Sequence, residues 1–155
     1  MTDYELLCGQ LRSLGEEERH WLPLLSNASA LLFGALEDVN WAGFYLRRED
    51  TLLLGPFQGK VACIHIPLGR GVCGTAAAKD ETQLVPDVHA FPGHIACDSA
   101  SASEIVVPLH GGGRVIGVLD IDSPRPGRFS EADRDGLERF ARTLEELADW
   151  GEVEG

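Results

Sequence analysis

Six short apolar segments, separated by Gly, Pro or Asp and enclosed by helical patterns at both ends, most constrain how this chain can fold. They span residues 40–47, 51–54, 62–66, 83–85, 104–110 and 114–121. Segments of this length between turn residues are typical of β-strands. Gly111, Gly112 and Gly113 join the last two segments and predict a hairpin, because glycine adopts positive φ without penalty. The pattern therefore predicts a mainly antiparallel sheet of six strands.

Helical periodicity brackets these strands. Residues 16–37 carry apolar side chains at steps of three and four, and residues 4–14 predict a shorter helix before them. Ser130, followed by acidic residues, is a typical N-cap for an amphipathic helix that reaches Leu147. Residues 72–78 predict a short crossing helix. We expect an α+β fold in which a central antiparallel sheet is flanked by helices.

The composition limits the range of functions. With 155 residues the chain is long enough for one stable domain (1–155, with a core over about 16–150), so its four cysteines are not needed as disulfide staples. A formal net charge of −12 argues against nucleic-acid binding and fits a cationic or zwitterionic small ligand. The N-terminus lacks the features of a signal peptide, and no stretch is long enough to span a membrane. We therefore expect a cytoplasmic protein, whose thiols are kept reduced.

Side chains alternate between the two faces of a strand, so the first strand presents Trp41, Gly43 and Tyr45 together. Two amphipathic rings on either side of a glycine leave a gap that could form the wall of a small pocket. The alternative is that both rings are ordinary core aromatics.

Three acidic residues stand out at one end of the predicted sheet. Asp120 and Asp122 extend the face that Ile116 and Val118 begin, and Glu104 opens another apolar strand. Asp122 alone could be a turn residue where the strand leaves the sheet, but Asp120 lies between Leu119 and Ile121. A buried carboxylate needs a ligand or hydrogen-bond donors. Three crowded acids would suit an ammonium group, and crowding would raise the pKa of one of them.

The cysteines differ in their surroundings. Cys97 lies in a loop rich in Ser and Ala, where a reaction partner could reach it. Cys63 is expected to share a strand face with His65, and Cys73 opens the short helix, where the helix N-terminus could lower its thiol pKa. Cys8, in the first helix, is expected to pack in the core. For each cysteine the alternative is a buried small hydrophobic residue.

A metal site is a competing interpretation of the same residues. The candidate ligands are Cys63, His65, Cys73, His89, His94 and Cys97. Paired knuckles of the CxxC or HxxxH type are absent from the sequence, so we expect no bound metal.

Several motifs together resemble one known family. They are residues 40–45 (NWAGFY), 55–60 (GPFQGK), Cys63, 69–74 (GRGVCG) and 93–99 (GHIACDS). These motifs are similar to those of the free methionine-(R)-sulfoxide reductases, a catalytic branch of the GAF domains. The resemblance covers roughly residues 16–150 and includes three cysteines in order.

The resemblance implies a GAF fold and a role for each thiol. Cys97 would attack the sulfoxide sulfur, be left as a sulfenic acid and release methionine. Cys63 would resolve the sulfenic acid as a disulfide, and Cys73 would be a second or alternative resolving thiol. A thioredoxin and NADPH system would regenerate the enzyme from outside, so no bound cofactor is expected.

The resemblance also implies the binding residues. Trp41 and Tyr45 match aromatic pocket positions, and Glu104, Asp120 and Asp122 match acids that bind or protonate the substrate. A sulfoxide oxygen leaves poorly unless it is protonated, so a carboxylic acid that stays neutral near pH 7 is useful there. A homodimer is a mild expectation by analogy with GAF domains. The alternative is a non-catalytic GAF sensor that binds a small molecule.

Overall fold

The computed structural model describes residues 1–95, 100–151 and 153 of the chain. A six-stranded antiparallel sheet forms its centre, with helices on both faces. The elements are, in chain order, α1 (Tyr4–Glu17), α2 (Trp21–Ala35), β1 (Trp41–Arg48), β2 (Thr51–Gly59), β3 (His65–Pro67), α3 (Gly71–Lys79), β4 (Gln83–Val85), a 3-10 turn (Val88–Ala90), β5 (Ser103–Gly111), β6 (Arg114–Ser123) and α4 (Glu131–Leu147).

The strand order is β3-β2-β1-β6-β5-β4, so the first and last long strands of the chain meet at the centre of the sheet. Helices α1, α2 and α4 cover one face, and α3 crosses the other. The predicted α+β architecture with a central antiparallel sheet is confirmed. Two separate apolar clusters result, one on each face of the sheet.

The predicted start of the C-terminal helix is confirmed in detail. Ser130 Oγ accepts a hydrogen bond from the Asp133 amide at 3.2 Å, and Asp133 Oδ2 accepts one from the Ser130 amide at 2.9 Å. This reciprocal capping box satisfies two backbone donors that the first turn leaves open. The buried face of α4 then packs on the sheet through Leu137, Phe140 and Leu144.

The predicted helix over residues 16–37 is wrong at its start. Glu16 belongs to α1, and a new helix begins at Trp21 with the His20 ring accepting a hydrogen bond from the Leu22 amide. Pro23 explains the break, because a continuous helix would need its missing N–H to bond the carbonyl of Arg19. In the first turn of α2 no such bond is required.

Two strands differ from the prediction in their extent. β2 continues to Gly59 instead of ending at Leu54, with an irregularity in its pairing with β1 between Gly43 and Tyr45. The predicted strand over 62–66 is shortened to His65–Pro67. Cys63 therefore precedes β3, and the expectation that it shares a strand face with His65 is wrong.

A bulge in β6 reverses the expected faces near its start. Leu109 pairs with Gly117 and His110 with Val115, so Ile116 is the extra residue. Ile116 consequently packs in the cluster under the helices, and Val115 in the cluster on the α3 side. Strict alternation along the strand predicts the opposite: Ile116 on the face of Val118, and Val115 on the face of Leu119. For the residues after the bulge the predicted alternation is correct.

The α-helical layer also accounts for Cys8, which is buried in α1 as a free thiol, as predicted. None of the helices in the described part of the chain has the length and apolar character needed to cross a bilayer.

Candidate functional site

A pocket opens on the α3 face of the sheet, between the ends of β1, β5 and β6, residues 61–66, and His94, Ile95 and Ser101. It collects most of the residues that the sequence singled out. The lining consists of Trp41, Tyr45, Val61, Ala62, Ile66, Gly71, Val72, Cys73, His94, Ile95, Ser101, Glu104, Asp120 and Asp122.

Strand register brings the three acids together. Glu104 on β5 lies directly opposite Asp122 on β6, and Asp122 lies opposite Trp41 on β1. Asp120, two residues before Asp122 on the same face of β6, lies opposite Gly43. Like charges placed opposite each other destabilise a sheet, so this arrangement does not serve the stability of the strands.

Burial is deepest at two of these acids. Glu104 and Asp120 are buried, and Asp122 is half-buried. Burial raises the pKa of Glu104 well above its usual range, and the neighbouring Asp120 raises it further. Burial likewise raises the pKa of Asp120, with Asp122 as the next cause. The expected upward shift from crowding is therefore present, with desolvation as its main cause.

The pocket offers these acids little positive charge. None of the described lining residues is Lys or Arg. Within the described part of the chain, Asp120 Oδ1 is buried without a hydrogen-bond partner. A buried polar oxygen in that condition carries a desolvation cost of about 1–3 kcal/mol, which a donor on a ligand could offset.

Aromatic rings form one wall of the pocket. Trp41 and Tyr45 share a face as predicted, and their rings stack with centroids 5.9 Å apart. Phe57 also stacks on Trp41, with ring centroids 5.1 Å apart. Gly43 permits this, because a Cβ there would collide with the Cβ of Phe57. The glycine thus admits Phe57 from β2 rather than leaving an open gap between the two rings.

The same two rings fix the segment that carries Cys63. Trp41 Nε1 donates a hydrogen bond to the Lys60 carbonyl at 3.1 Å, and the Tyr45 hydroxyl donates one to the Cys63 carbonyl at 3.0 Å. Cys63 is half-buried and disulfide-bonded. Pocket wall and cysteine segment therefore form one connected unit.

Cys73 is a buried free thiol at the start of α3. Its Sγ lies 3.9 Å from Glu104 Oε2 and donates a weak hydrogen bond to it. Burial raises the thiol pKa, and Asp120 and Glu104 raise it further. The expectation that the helix N-terminus lowers the pKa of Cys73 is wrong, because desolvation and two acids outweigh a short helix.

Cys97, the predicted nucleophile, lies outside the described residues. The described chain on both sides of it contributes to the pocket, through His94 and Ile95 before it and Ser101 after it. Burial and the nearby His89 lower the pKa of His94, which favours its neutral form. Gly71, with a φ of +62°, begins α3 beneath Ile95, and a Cβ on it would come within 3.2 Å of that side chain.

Several lining residues were not predicted as site residues from the sequence, among them Ile66 and Ser101. Ile66 looked like an ordinary strand residue, and Ser101 looked like one of several small loop residues. Only its position in the folded chain identifies Ser101 as part of the site: it is buried, and its hydroxyl oxygen lies 3.4 Å from the Asn40 side-chain nitrogen. The position of Ser101 in the pocket depends on the pairing of β5 with β6, which the sequence of the loop does not reveal.

The metal alternative can be assessed only where side chains are described. There, the group with ligand atoms within 4.8 Å of one another is Cys73, Glu104 and Asp120. Burial raises the pKa of all three, whereas a metal needs them deprotonated. Of the candidate ligands predicted from the sequence, His65 and His89 are exposed and only Cys73 belongs to this group.

Comparison with known proteins agrees with the fold. A family model described as GAF domain matches residues 14–147. The free methionine-R-sulfoxide reductase of Escherichia coli K12 is 58% identical over 130 residues, which cover 84% of this chain and 79% of that protein. The protein of the same name from Saccharomyces cerevisiae is 48% identical over 148 residues, which cover 90% and 82%.

A solved structure gives the same result in three dimensions. The fRMsr of Staphylococcus aureus in complex with substrate is 51% identical and superposes with a TM-score of 0.91, covering 96% of this chain and 97% of that one. Fold, sequence and pocket thus point in one direction. The chain belongs to the free methionine-R-sulfoxide reductases, an oxidoreductase family built on the GAF domain.

Proposed function

We propose that this chain reduces free L-methionine-(R)-sulfoxide to L-methionine, with Cys97 as the nucleophile and a thioredoxin-type dithiol as the final reductant. The observation that carries the proposal is the cluster of three carboxyl groups that faces two aromatic rings inside one pocket. Relatives with closely similar sequences carry the name of this activity.

The acids supply recognition of a free amino acid. Asp120 and Asp122 are suited to accept hydrogen bonds from the substrate α-ammonium, which would complete the unpartnered Asp120 Oδ1. Trp41 and Tyr45 would pack against the methylsulfinyl end. A methionine inside a peptide has no α-ammonium, so we expect it to be excluded.

Glu104 is the proposed proton donor. Its raised pKa keeps a proton on the Glu104 and Asp120 pair near neutral pH, and that proton can pass to the sulfoxide oxygen. Protonation makes the oxygen a leaving group. The substrate ammonium then offsets the charge left on the pair.

The chemistry proceeds in balanced steps. The Cys97 thiolate attacks the sulfoxide sulfur and forms an S–S bond, while the S–O bond breaks and the oxygen leaves as water, with one proton from the carboxyl pair and a second from solvent. A second water hydrolyses this bond, which gives methionine and a sulfenic acid on Cys97. The sulfur of methionine gains two electrons and the sulfur of Cys97 loses two.

Cys63 is the proposed resolving thiol. Its thiolate would attack the Cys97 sulfenic acid, form the Cys63–Cys97 disulfide and expel water. The disulfide-bonded state of Cys63 and the free state of Cys73 support this order. The raised pKa of Cys73 disfavours its thiolate, so Cys73 would act as a resolving thiol only in reserve. A dithiol reductant returns both cysteines to thiols, in keeping with a reducing cytoplasmic setting.

A single-turnover series tests the proposal. Reduced protein is mixed with excess free L-methionine-(R)-sulfoxide without reductant, and methionine is counted per chain. We expect about one methionine per chain for wild type and for Cys63→Ser, and none for Cys97→Ser, because one Cys97 carries one oxidation. Cys63→Ser should then stall with thioredoxin, while Cys73→Ser should continue to turn over.

Several results would contradict the proposal. Multiple turnovers by Cys97→Ser would remove the nucleophile assignment. Equal rates on the S epimer or on a methionine sulfoxide peptide would remove the substrate assignment. Binding of the sulfoxide without any methionine release by the wild type would favour the GAF sensor instead.

A further inference from the structure

The charges of this chain are distributed unevenly around the disulfide-bonded cysteine. The chain has 25 acidic residues and a net charge of −12, yet residues 51–79 contain none. Both lysines, Lys60 and Lys79, and Arg70 lie within that stretch. The stretch that forms β2, β3 and α3 therefore carries three cationic side chains and no carboxylate of its own.

Apart from Met1, the most exposed large apolar side chains among the described residues lie in the middle of this stretch. Val61 is 89% exposed and Ile64 is 59% exposed, and they flank Cys63 on both sides. Isolated exposed apolar residues are common on protein surfaces. Here, however, Val61 and Ile64 lie beside the disulfide-bonded sulfur of Cys63. Together with the exposed Lys60 and His65 they form a small surface that is partly apolar and partly basic. These four residues are the docking patch.

Three hydrogen bonds hold the backbone of residues 60–64, which includes most of the docking patch. Trp41 Nε1 and the Tyr45 hydroxyl donate to the carbonyls of Lys60 and Cys63, and the Leu54 amide donates to the Ile64 carbonyl at 2.8 Å. A segment ordered in this way loses little entropy when a partner binds. Val61 also lines the pocket, but Ile64 does not, so a partner is the better explanation of the exposure of Ile64.

We propose that the docking patch receives the protein reductant, a dithiol protein whose exposed cysteine lies in an apolar surface of net negative charge. This inference rests on the proposed function, because only a disulfide formed in catalysis needs such a partner. A small, mainly apolar contact with favourable charge suits a transient encounter, which must end after each reduction.

The electron transfer follows from the position of the patch. The partner thiolate attacks Cys63 Sγ, forms a mixed disulfide with Cys63 and releases the other sulfur of the original disulfide as a thiolate. The partner's second thiolate then attacks its own sulfur in the mixed disulfide and releases the Cys63 thiolate. Two electrons pass from the dithiol to the disulfide, and both released thiolates take up protons from solvent.

The main test compares two reductants on the same variants. Turnover of free L-methionine-(R)-sulfoxide is measured with thioredoxin, thioredoxin reductase and NADPH at varied thioredoxin, and separately with dithiothreitol. We expect Ile64→Glu to raise the KM for thioredoxin about tenfold, since burying a charge in an apolar contact costs at least that much affinity. Dithiothreitol-supported turnover and the KM for the sulfoxide should not change, because a small dithiol needs no docking surface.

Two further variants sharpen the test. Leu6→Glu is the matched control, since Leu6 is 56% exposed in α1 on the opposite face of the sheet, and its thioredoxin KM should stay at the wild-type value. Lys60→Glu should raise the thioredoxin KM by about threefold to tenfold at low salt and less at high salt, because the charge effect is screened. Thioredoxin lacking its second cysteine should be trapped on Cys63, as shown by peptide mass spectrometry.

The outcomes separate this inference from the function on which it rests. An unchanged thioredoxin KM in Ile64→Glu, or trapping of thioredoxin on Cys97, overturns the docking patch while the reductase activity stands. Equal loss with both reductants overturns it too, because the substitution would then have damaged the site. A change in oligomeric state instead of in thioredoxin KM would assign the patch to a second copy of the chain. Absence of turnover by the wild type with either reductant removes the proposed function itself.

Discussion

Two buried carboxyl groups of this protein, Asp120 and Asp133, are similarly shielded from water and sit in opposite surroundings. Asp120 is 5% exposed and Asp133 is 8% exposed. Asp133 accepts hydrogen bonds from the Tyr4 hydroxyl at 2.7 Å, from Arg128 at 3.1 Å and from the Ser130 amide at 2.9 Å. Asp120 has two other acids beside it and one oxygen that no donor in the described chain reaches.

Their pKa values differ accordingly. Burial alone would raise the pKa of Asp133, but the hydrogen bonds from Ser130 and Tyr4 and the charge of Arg128 outweigh it and lower the pKa. At Asp120 burial and Asp122 act in the same direction and raise the pKa. Asp133 is therefore a carboxylate that stabilises the fold, by joining α1, the α4 cap and Arg128. The Asp120 cluster costs stability and is poised to hold a proton and bind a cation.

The largest expected effect is on catalysis. Glu104→Gln keeps the size of the side chain but removes the transferable proton, so we expect kcat to fall by about 10²–10⁴-fold near neutral pH. Steady-state rates with dithiothreitol measure this directly. The matched control is Asp133→Asn, assayed at a temperature where it is folded, which should retain the wild-type kcat. An unchanged kcat in Glu104→Gln would mean that its raised pKa has no role in the reaction.

The second effect is on stability. Asp133→Ala removes the capping box and leaves Arg128 and the Tyr4 hydroxyl without their common acceptor, so unfolding free energy should fall by about 2–4 kcal/mol. Urea unfolding followed by circular dichroism measures it. A loss of unfolding free energy below about 0.5 kcal/mol, the range of ordinary surface substitutions, would show that Asp133 does not stabilise the fold in this way.

The third effect has the opposite sign. Asp120→Asn removes a poorly compensated acid, so we expect it to stabilise the fold by about 1 kcal/mol at pH 8 while lowering activity. The pKa of Asp120 is higher in the folded than in the unfolded chain, so the folded state holds the proton more tightly. The penalty at Asp120 is therefore absent below the unfolded pKa near 4 and grows as pH rises toward the folded pKa. The gain in Asp120→Asn should follow this rise.

Asp133 gives the reverse dependence on pH. Its pKa is lower in the folded chain, so its contribution is complete above the unfolded pKa and is lost as pH falls through the folded pKa. Unfolding curves at pH 3.5, 5 and 8 test this contrast. From pH 3.5 to pH 8 the free energy of unfolding relative to wild type should rise for Asp120→Asn and fall for Asp133→Ala. Parallel changes would contradict the contrast between the two sites.

The smallest effect concerns a half-buried histidine. His110 lies between Asp80 and Glu145, with ring nitrogens 2.6 Å and 2.7 Å from their carboxylate oxygens. Burial lowers its pKa, but the two hydrogen bonds and charges outweigh burial and raise it. Its stabilising effect is thus complete below the unfolded pKa and lost as pH rises through the folded pKa. His110→Gln should lower the free energy of unfolding by about 0.3–1 kcal/mol at pH 6 and by less at pH 9, as measured by urea unfolding. An equal loss at both pH values would show that the charge of protonated His110 does not stabilise the fold.

The two carboxyl sites also show what a sequence can predict here. Asp133 lies three residues after Ser130, and the sequence predicted the Ser130 N-cap with acidic residues in the first turn, which is a local pattern. Asp120 was singled out because it interrupts an apolar strand, and alternation placed it on the same face of that strand as Val118 and Asp122. Both inferences use spacing within one element.

Features that depend on pairing between elements were out of reach. The bulge at Ile116 reverses two faces, and nothing in residues 114–121 marks it. The pKa of Cys73 was predicted in the wrong direction, because its helix was visible and the acids from β5 and β6 beside it were not. The start of α2 could have been found, since Pro23 forbids a helix that continues from α1.

The central claim is that the pocket holds a protonated carboxylic acid at neutral pH. Infrared difference spectroscopy at pH 7 tests it most directly, since a protonated carboxyl group has a carbonyl stretch that a carboxylate lacks. We expect this band in the substrate-free wild type, its retention in Asp133→Asn and its loss when Glu104→Gln and Asp120→Asn are combined in one variant. A wild-type spectrum without the band at pH 7, or a band that persists in the combined variant, would contradict the claim.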